Sequence, residues 1–335
     1  VRQEIPYAFV LEAAFIMVFC RQFHMLSSTL SGVFVPVGTA LTRDDKVDIP
    51  GVRRIARYLM EAGVHALFAN GSMSGFAFLT DDQQMVAIET VIEEAAGRIP
   101  VMAGLGETST SRALPKARAM ARAGASYLSV LPPFYFFAQQ EHLVAYFSEI
   151  ASAVDIPIML YDNPALTKNP IQPETIVELR RRVPNIIGVK ESNQDCVNLQ
   201  RLLTLTAGDP GFSVLTGSEF LVLVGLQMGV RGCVGGLHNI CPHLAVELYE
   251  AFQRGDLETA RQRQDALIDV WQIFTYGKIW GAFDEALRWL GLCERATGAP
   301  YATPVSDSDR EQIHAILSRH LGGRRPSPAG MKADG

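Results

Sequence analysis

The chain has 335 residues, is 48% apolar and 19% charged, and carries a formal net charge of −5. That length supports one large core or two modest ones. With no basic stripe or polybasic tail, the composition excludes a nucleic-acid binder, and the mild negative charge fits a soluble protein.

Five scattered cysteines (Cys20, Cys196, Cys233, Cys241, Cys293) form no CxxC pair. Such usage points to reduced thiols in the cytoplasm rather than a disulfide framework. The apolar run "YAFVLEAAFIMVFC" (7–20) holds Glu12 and is short for a membrane span. Residues 1–25 are therefore read as an N-terminal extension or a translated leader before the true start.

From Gly32 a rhythm begins. "GVFVPV" (32–37), "HALFAN" (65–70), "PVMAGLG" (100–106), "SYLSVLP" (126–132), "PIMLYD" (157–162), "IIGVKES" (186–192), "FSVLTG" (212–217) and "RGCVGG" (231–236) are predicted strands. Amphipathic segments separate them. In residues 47–63, Ile49, Val52, Ile55, Leu59 and Met60 share one face. Residues 81–97 open on acids and close on glycine, and 108–124 offer hydroxyl N-caps.

Eight strand–helix units at this spacing imply parallel strands with helical crossovers. The fold class is α/β, a (β/α)8 TIM barrel over residues 26–252. The alternative, a doubly wound open sheet, lacks a GxGxxG after the first strand. A C-terminal helical segment is predicted over 253–321, starting from two helices broken at Gly255, and a disordered tail over 322–335.

In such barrels, the carboxyl ends of strands face the active site. Those ends offer Thr39, Ser72 with Met73, Tyr135, Tyr161, Lys190, Glu219 and Gly235. Tyr161 and Lys190 are 29 residues apart, one βα unit, so they top neighbouring strands. An ammonium is costly to bury, and an apolar mouth favours the neutral amine, which adds to a ketone and forms an imine. A phenol beside it moves the protons. Bland readings stand beside these: Tyr161 as a satisfied core tyrosine, Ser72 as turn chemistry, Tyr135 as part of an aromatic cluster and Glu219 as a helix cap. "HNICPH" (238–243) fits no familiar zinc spacing and Pro242 suggests a helix start, so no metal site is expected. "GLGETST" (104–110) reads as the approach to a helix rather than a phosphate loop.

"GVFVPVGTALTRDDKVD", "NGSMSGFAFLT", "YDNP", "GVKESNQD" and "GVRGCVGGLHNICP" occur in order. Together they resemble the dihydrodipicolinate synthase / N-acetylneuraminate lyase family of class I aldolases and dehydratases, from about Leu30 to Leu321. The resemblance implies that Lys190 forms an imine with pyruvate or a 2-oxo acid, with Tyr161 as acid/base. It implies that Ser72 relays protons and that Tyr135 completes the relay across a subunit contact. The backbone of Ser72 and Met73 would hold the substrate carboxylate, with Thr39, Glu219, Val234 and Gly235 lining the substrate. No metal or organic cofactor, nucleic acid or membrane is implied; the partners are a small-molecule 2-oxo acid and copies of the chain, in a tetramer built as a dimer of dimers.

Three departures shape the expected substrate. Met73 and Gly75 stand where the family loop carries a second hydroxyl and a glutamate, and Leu166 stands where the lysine-pathway synthase has an arginine. Leu166 disfavours 4-hydroxy-tetrahydrodipicolinate synthase. Gly235 and Gly236 suggest room for a sugar acid, so aldol cleavage, condensation or dehydration of a 2-oxo-3-deoxy sugar acid or related 2-oxo acid is expected. Met73 and Gly75 also motivate the rival reading, a non-catalytic 2-oxo-acid-binding relative. A metal-dependent aldolase is a third.

Overall fold

The structure, a computed structural model, describes residues 30–322. The readings made for residues 1–29, including Cys20, and for 323–335 lie outside the described residues.

Eight parallel strands close into a barrel in sequence order. They are β1 (Gly32–Pro36), β2 (Ala66–Ala69), β3 (Val101–Leu105), β4 (Tyr127–Val130), β5 (Ile158–Asp162), β6 (Ile186–Glu191), β7 (Ser213–Thr216) and β8 (Gly232–Val234). Each lies within a predicted run. β8 is the shortest, because Gly235 and Gly236 turn the chain out of the ladder into a 3-10 turn at Leu237–Asn239.

The connecting helices are α1 (Ile49–Glu61), α2 (Asp81–Ala95), α3 (Thr110–Arg122), α4 (Gln140–Ser152), the single turn α5 (Pro164–Thr167), α6 (Pro173–Arg182), α7 (Cys196–Thr206) and α8 (Val222–Met228). In α1, Val52, Ile55 and Leu59 are buried as the periodicity predicts. Ile49 is instead exposed, since it begins the first turn before the helix settles on the barrel. α2 has the expected acids, Asp81 and Asp82, plus a capping box in which Thr80 Oγ1 accepts from Gln83 N–H and Gln83 Oε1 from Thr80 N–H.

Two apolar layers result. Phe34, Phe68, Met102, Tyr127, Met159, Ile187, Leu215 and Val234 fill the barrel interior. A larger shell between strands and helices includes Val33, Val35, Leu67, Leu128, Leu160, Val189 and Val214. Alternate strand residues feed the two layers, as pleated geometry requires.

After the barrel come α9 (Pro242–Gln253), α10 (Leu257–Trp271), α11 (Lys278–Trp289) and α12 (Asp307–Leu321). The break at Gly255 and the helix start at Pro242 follow the sequence reading. This segment returns to the mouth of the barrel. Leu41 N–H donates to Arg295 O (2.9 Å), Arg54 Nε–H donates to Leu292 O (2.9 Å), and Asp284 accepts from Ala296 N–H and Thr297 Oγ1–H.

The barrel closes where β1 meets β8, pairing Gly32 with Gly232. A Cβ on Gly232 would overlap the carbonyl oxygen and nitrogen of Gly32, and backbone cannot swing aside. Gly232→Ala is expected to destabilise the fold by about 1–3 kcal/mol, read as a lower denaturation midpoint; an unchanged midpoint would contradict this close seam.

Candidate active site

Strand phase decides which side chains enter the barrel. In β5, Ile158 and Leu160 join the outer shell, while Met159 and Tyr161 point inward. In β6, Ile186 points outward and Ile187 inward, so strict alternation would turn Lys190 outward. The ladder slips instead: Ile158 pairs with Ile186, but Met159 pairs with Gly188. The extra residue is a bulge that resets the phase. Val189 then faces outward and Lys190 inward, directly beside Tyr161 in register.

Lys190 is only 4% exposed. Its Nζ lies 3.9 Å from the Tyr161 ring centroid and 5.3 Å from that of Phe68. The Tyr161 hydroxyl is 3.3 Å from Ser72 Oγ and accepts from Asn163 Nδ2–H at 3.1 Å. Burial alone raises the phenol pKa. The Lys190 charge and hydrogen bonds from Lys190, Ser72 and Asn163 outweigh it and leave Tyr161 below its ordinary value.

The Ser72–Met73 loop is braced by its neighbours. Asn70 adopts a left-handed backbone (φ 61°), and its Nδ2–H donates to Gly104 O (2.9 Å). Gly71 N–H donates to Ser74 Oγ and Gly75 N–H to Ser72 O, both at 3.0 Å. Asn239 ties β1 to the turn after β8: it accepts from Gly38 N–H (2.9 Å) and donates to Pro36 O (2.8 Å). Thr39, next to that tie, is buried.

Other predicted residues separate. Val234 packs in the barrel interior. The open space expected at Gly235 and Gly236 is filled: a Cβ on Gly236 would strike Met73, and one on Gly235 would come within 2.5 Å of the His238 ring. These glycines leave room for neighbouring side chains. Glu219 starts a 3-10 turn, and its Oε1 accepts from Leu237 N–H at 3.0 Å.

Tyr135 is 86% exposed and makes its ring contact with Phe136, away from the Tyr161–Lys190 pair. Its φ of 84° is unusual for a residue with a side chain. Asn169 fixes the surrounding loop, donating to Pro133 O (2.7 Å) and Phe136 O (2.8 Å) and accepting from Ala138 N–H (2.9 Å). Phe136 and Phe137 project beside Tyr135, both exposed.

Among the described residues, no group of three His, Cys, Asp or Glu could hold a metal. His238 is fully buried, neither ring nitrogen has a hydrogen-bond partner, and burial pushes its pKa down to about 4. At the "GLGETST" turn the buried Glu107 carboxylate bonds Arg112 (2.7 Å) and Lys116, so protein already fills that position with an anion.

Sequence reasoning missed Asn163 and the outward facing of a pair of carboxyls. Asp162 and Glu191 follow Tyr161 and Lys190, so alternation sends both behind the barrel wall, paired in register. Burial pushes Asp162 up to about 6, against one hydrogen bond from Ile171 N–H (3.0 Å). Burial, with the charges of Asp162 and Asp195, pushes Glu191 up to about 7, despite hydrogen bonds from Asn193 N–H and the Asn198 side chain. Folding favours the protonated acids. Their penalty is absent below about pH 4, where unfolded carboxyls are also protonated, grows as pH rises from there to about 6 and 7, and is constant above. Asp162→Asn keeps an acceptor for Ile171; it is expected to stabilise the fold by about 2 kcal/mol at pH 8 and to leave it unchanged at pH 4. Urea midpoints at both pH values check this, and equal gains at both would refute it.

The chain matches the Dihydrodipicolinate synthetase family over residues 29–320. It is 32% identical to a 4-hydroxy-tetrahydrodipicolinate synthase of Methanospirillum hungatei over 291 residues, 86% of this chain and 99% of the relative. It is 28% identical to the Escherichia coli protein named "probable 2-dehydro-3-deoxy-D-pentonate aldolase YjhH" over 290 residues, 86% of this chain and 96% of that one. Among solved structures, YagE of Escherichia coli in complex with pyruvate superposes with a TM-score of 0.83 at 27% identity, covering 87% of this chain and 99% of YagE. With the inward phenol–amine pair of a closed barrel, these likenesses make the chain a lyase belonging to the dihydrodipicolinate synthetase family.

Proposed function

We propose that this lyase works through a Schiff base on Lys190. The observation that carries the proposal is the register pairing of Tyr161 with Lys190 inside the barrel, with Ser72 beside the phenol. Lys190 Nζ adds to the C2 carbonyl of a 2-oxo acid, and loss of water gives a protonated imine. The imine draws electrons from C3. Tyr161 takes the proton of the C4 hydroxyl as the C3–C4 bond breaks, and an aldehyde leaves. The remaining enamine is protonated at C3, and water releases pyruvate and the free amine. The N–H groups of Ser72 and Met73 hold the carboxylate, and Ser72 relays protons. The step requires no metal or organic cofactor.

The substrate class is a 2-oxo-3-deoxy sugar acid or a related 2-oxo acid. Support comes from the relative named for pentonate cleavage and from the pyruvate-bound neighbour. The lysine-pathway synthase reading is disfavoured, since Leu166 is an exposed alkyl side chain that cannot clamp a carboxylate. No described helix is long and apolar enough to cross a membrane, and the setting proposed is cytoplasmic.

The assembly proposed is a dimer of dimers in which Tyr135 of one copy completes the site of the next. The stiff loop that presents Tyr135, Phe136 and Phe137 outward supports this, as exposed apolar patches mark contact sites.

Borohydride reduction with pyruvate is expected to leave a stable mass adduct on Lys190, and none in Lys190→Ala; an adduct that persists in the variant refutes the assignment. Tyr161→Phe is expected to lower kcat by roughly 100- to 10,000-fold for whichever 2-oxo-3-deoxy acid in a panel releases pyruvate. Mixing Lys190→Ala with Tyr135→Phe chains is expected to restore activity that neither has alone. Failure to complement would place Tyr135 outside the neighbouring site.

A further inference from the structure

Asn163 directly follows the β5 strand and begins α5, a place where asparagine is ordinary turn chemistry. Its backbone caps the helix, but its side chain does not. The Asn163 backbone carbonyl accepts from Leu166 N–H (3.1 Å), Thr167 N–H (3.0 Å) and Thr167 Oγ1–H (3.0 Å). Its side chain makes no capping bond. The amide turns back, and Nδ2–H donates to the Tyr161 hydroxyl oxygen at 3.1 Å.

This contact restricts the phenol. A tyrosine hydroxyl has one proton to give and lone pairs to receive with. An amide N–H on the oxygen takes up a lone pair and prevents the phenolic O–H from pointing toward the loop after β5. The proton is left to run toward Ser72 Oγ, 3.3 Å away, or toward a substrate hydroxyl on the Lys190 side. When the phenol gives up its proton, the same amide remains bonded to the oxygen and needs no rearrangement.

We propose that Asn163 is a positioning residue for proton transfer: its amide N–H holds the Tyr161 oxygen, aims the phenolic O–H along the Ser72–substrate line and stabilises the phenolate. The proposal rests on the reading of Tyr161 as the acid/base. The lowered pKa of Tyr161, to which the Asn163 bond contributes, agrees with it.

Three variants and two readouts test it. Tyrosinate absorbance is titrated in each chain and referenced to the same chain with Tyr161→Phe, which isolates Tyr161 among the nine tyrosines. Asn163→Leu removes the donor; the Tyr161 titration and the limb of the kcat pH profile that follows it are expected to move up together by about one unit, a tenfold loss of phenolate at fixed pH. Asn163→Asp, which accepts rather than donates, is expected to move both further in the same direction. Asn163→Gln, which keeps an amide, is expected to restore part of the shift. An unmoved or lowered titration in Asn163→Leu overturns the hydrogen bond. A moved titration with an unmoved pH profile overturns the positioning role. Borohydride trapping at Lys190 does not need the Asn163 amide, so its failure in the native chain marks the Schiff-base reading as wrong while the titration still judges the bond.

Discussion

One extra residue in β6 governs the chemistry of this protein. The apolar interior and the outer shell both accept aliphatic side chains, so either phase of the strand could be buried in the upstream half. Only the slip between Ile186 and Gly188 sends Lys190 into the barrel and Glu191 behind it. Gly188 makes the slip possible. A Cβ there would lie 2.5 Å from the Ser213 carbonyl oxygen, so the bulged strand runs too close to β7 for a side chain. The site is therefore set by backbone register before any polar contact is made.

Around that register the polar groups divide by face. Inward stand an amine and a phenol, with a hydroxyl and an amide on the phenol's oxygen. Outward stand two carboxyls, Asp162 and Glu191, which burial raises toward neutrality. The wall thus separates the phenol and the amine from the acid that follows each of them in sequence. Asp162 also anchors the loop after β5 through Ile171, and that loop carries Asn163 and Asn169. Its carboxyl fixes a stretch whose other residues reach both the phenol and the stiff aromatic loop at Tyr135.

The barrel was legible because each strand is a short apolar run and each helix a periodic one, alternating along the chain. Tyr161 and Lys190 were legible as neighbours for the same reason. Their facing was not. "IIGV" is apolar throughout and shows no alternation from which to read phase, as expected for a strand buried on both sides. Gly235 and Gly236 show a second limit. A missing side chain reads as space, yet the distant Met73 and the nearby His238 occupy it. His238, whose "HNICPH" spacing matches no familiar zinc pattern, is a buried neutral ring. Asn163 was hidden inside "YDNP", where its type matches a turn so well that no other task is suggested. Tyr135 was legible at a strand end, and its relay role only through the resemblance; within one chain it meets solvent.

The C-terminal segment does more than cover the barrel. All three tryptophans belong to it, at 271, 280 and 289. The Trp280 indole stands edge-on to Phe78, ring centroids 4.9 Å apart, and Phe78 in turn fills the space beside Gly75 at the end of the Ser72–Met73 loop. An emitting ring is thereby linked, through one aromatic contact, to the loop whose Ser72 hydroxyl meets the Tyr161 phenol. The protein thus carries an intrinsic fluorophore one ring away from that loop.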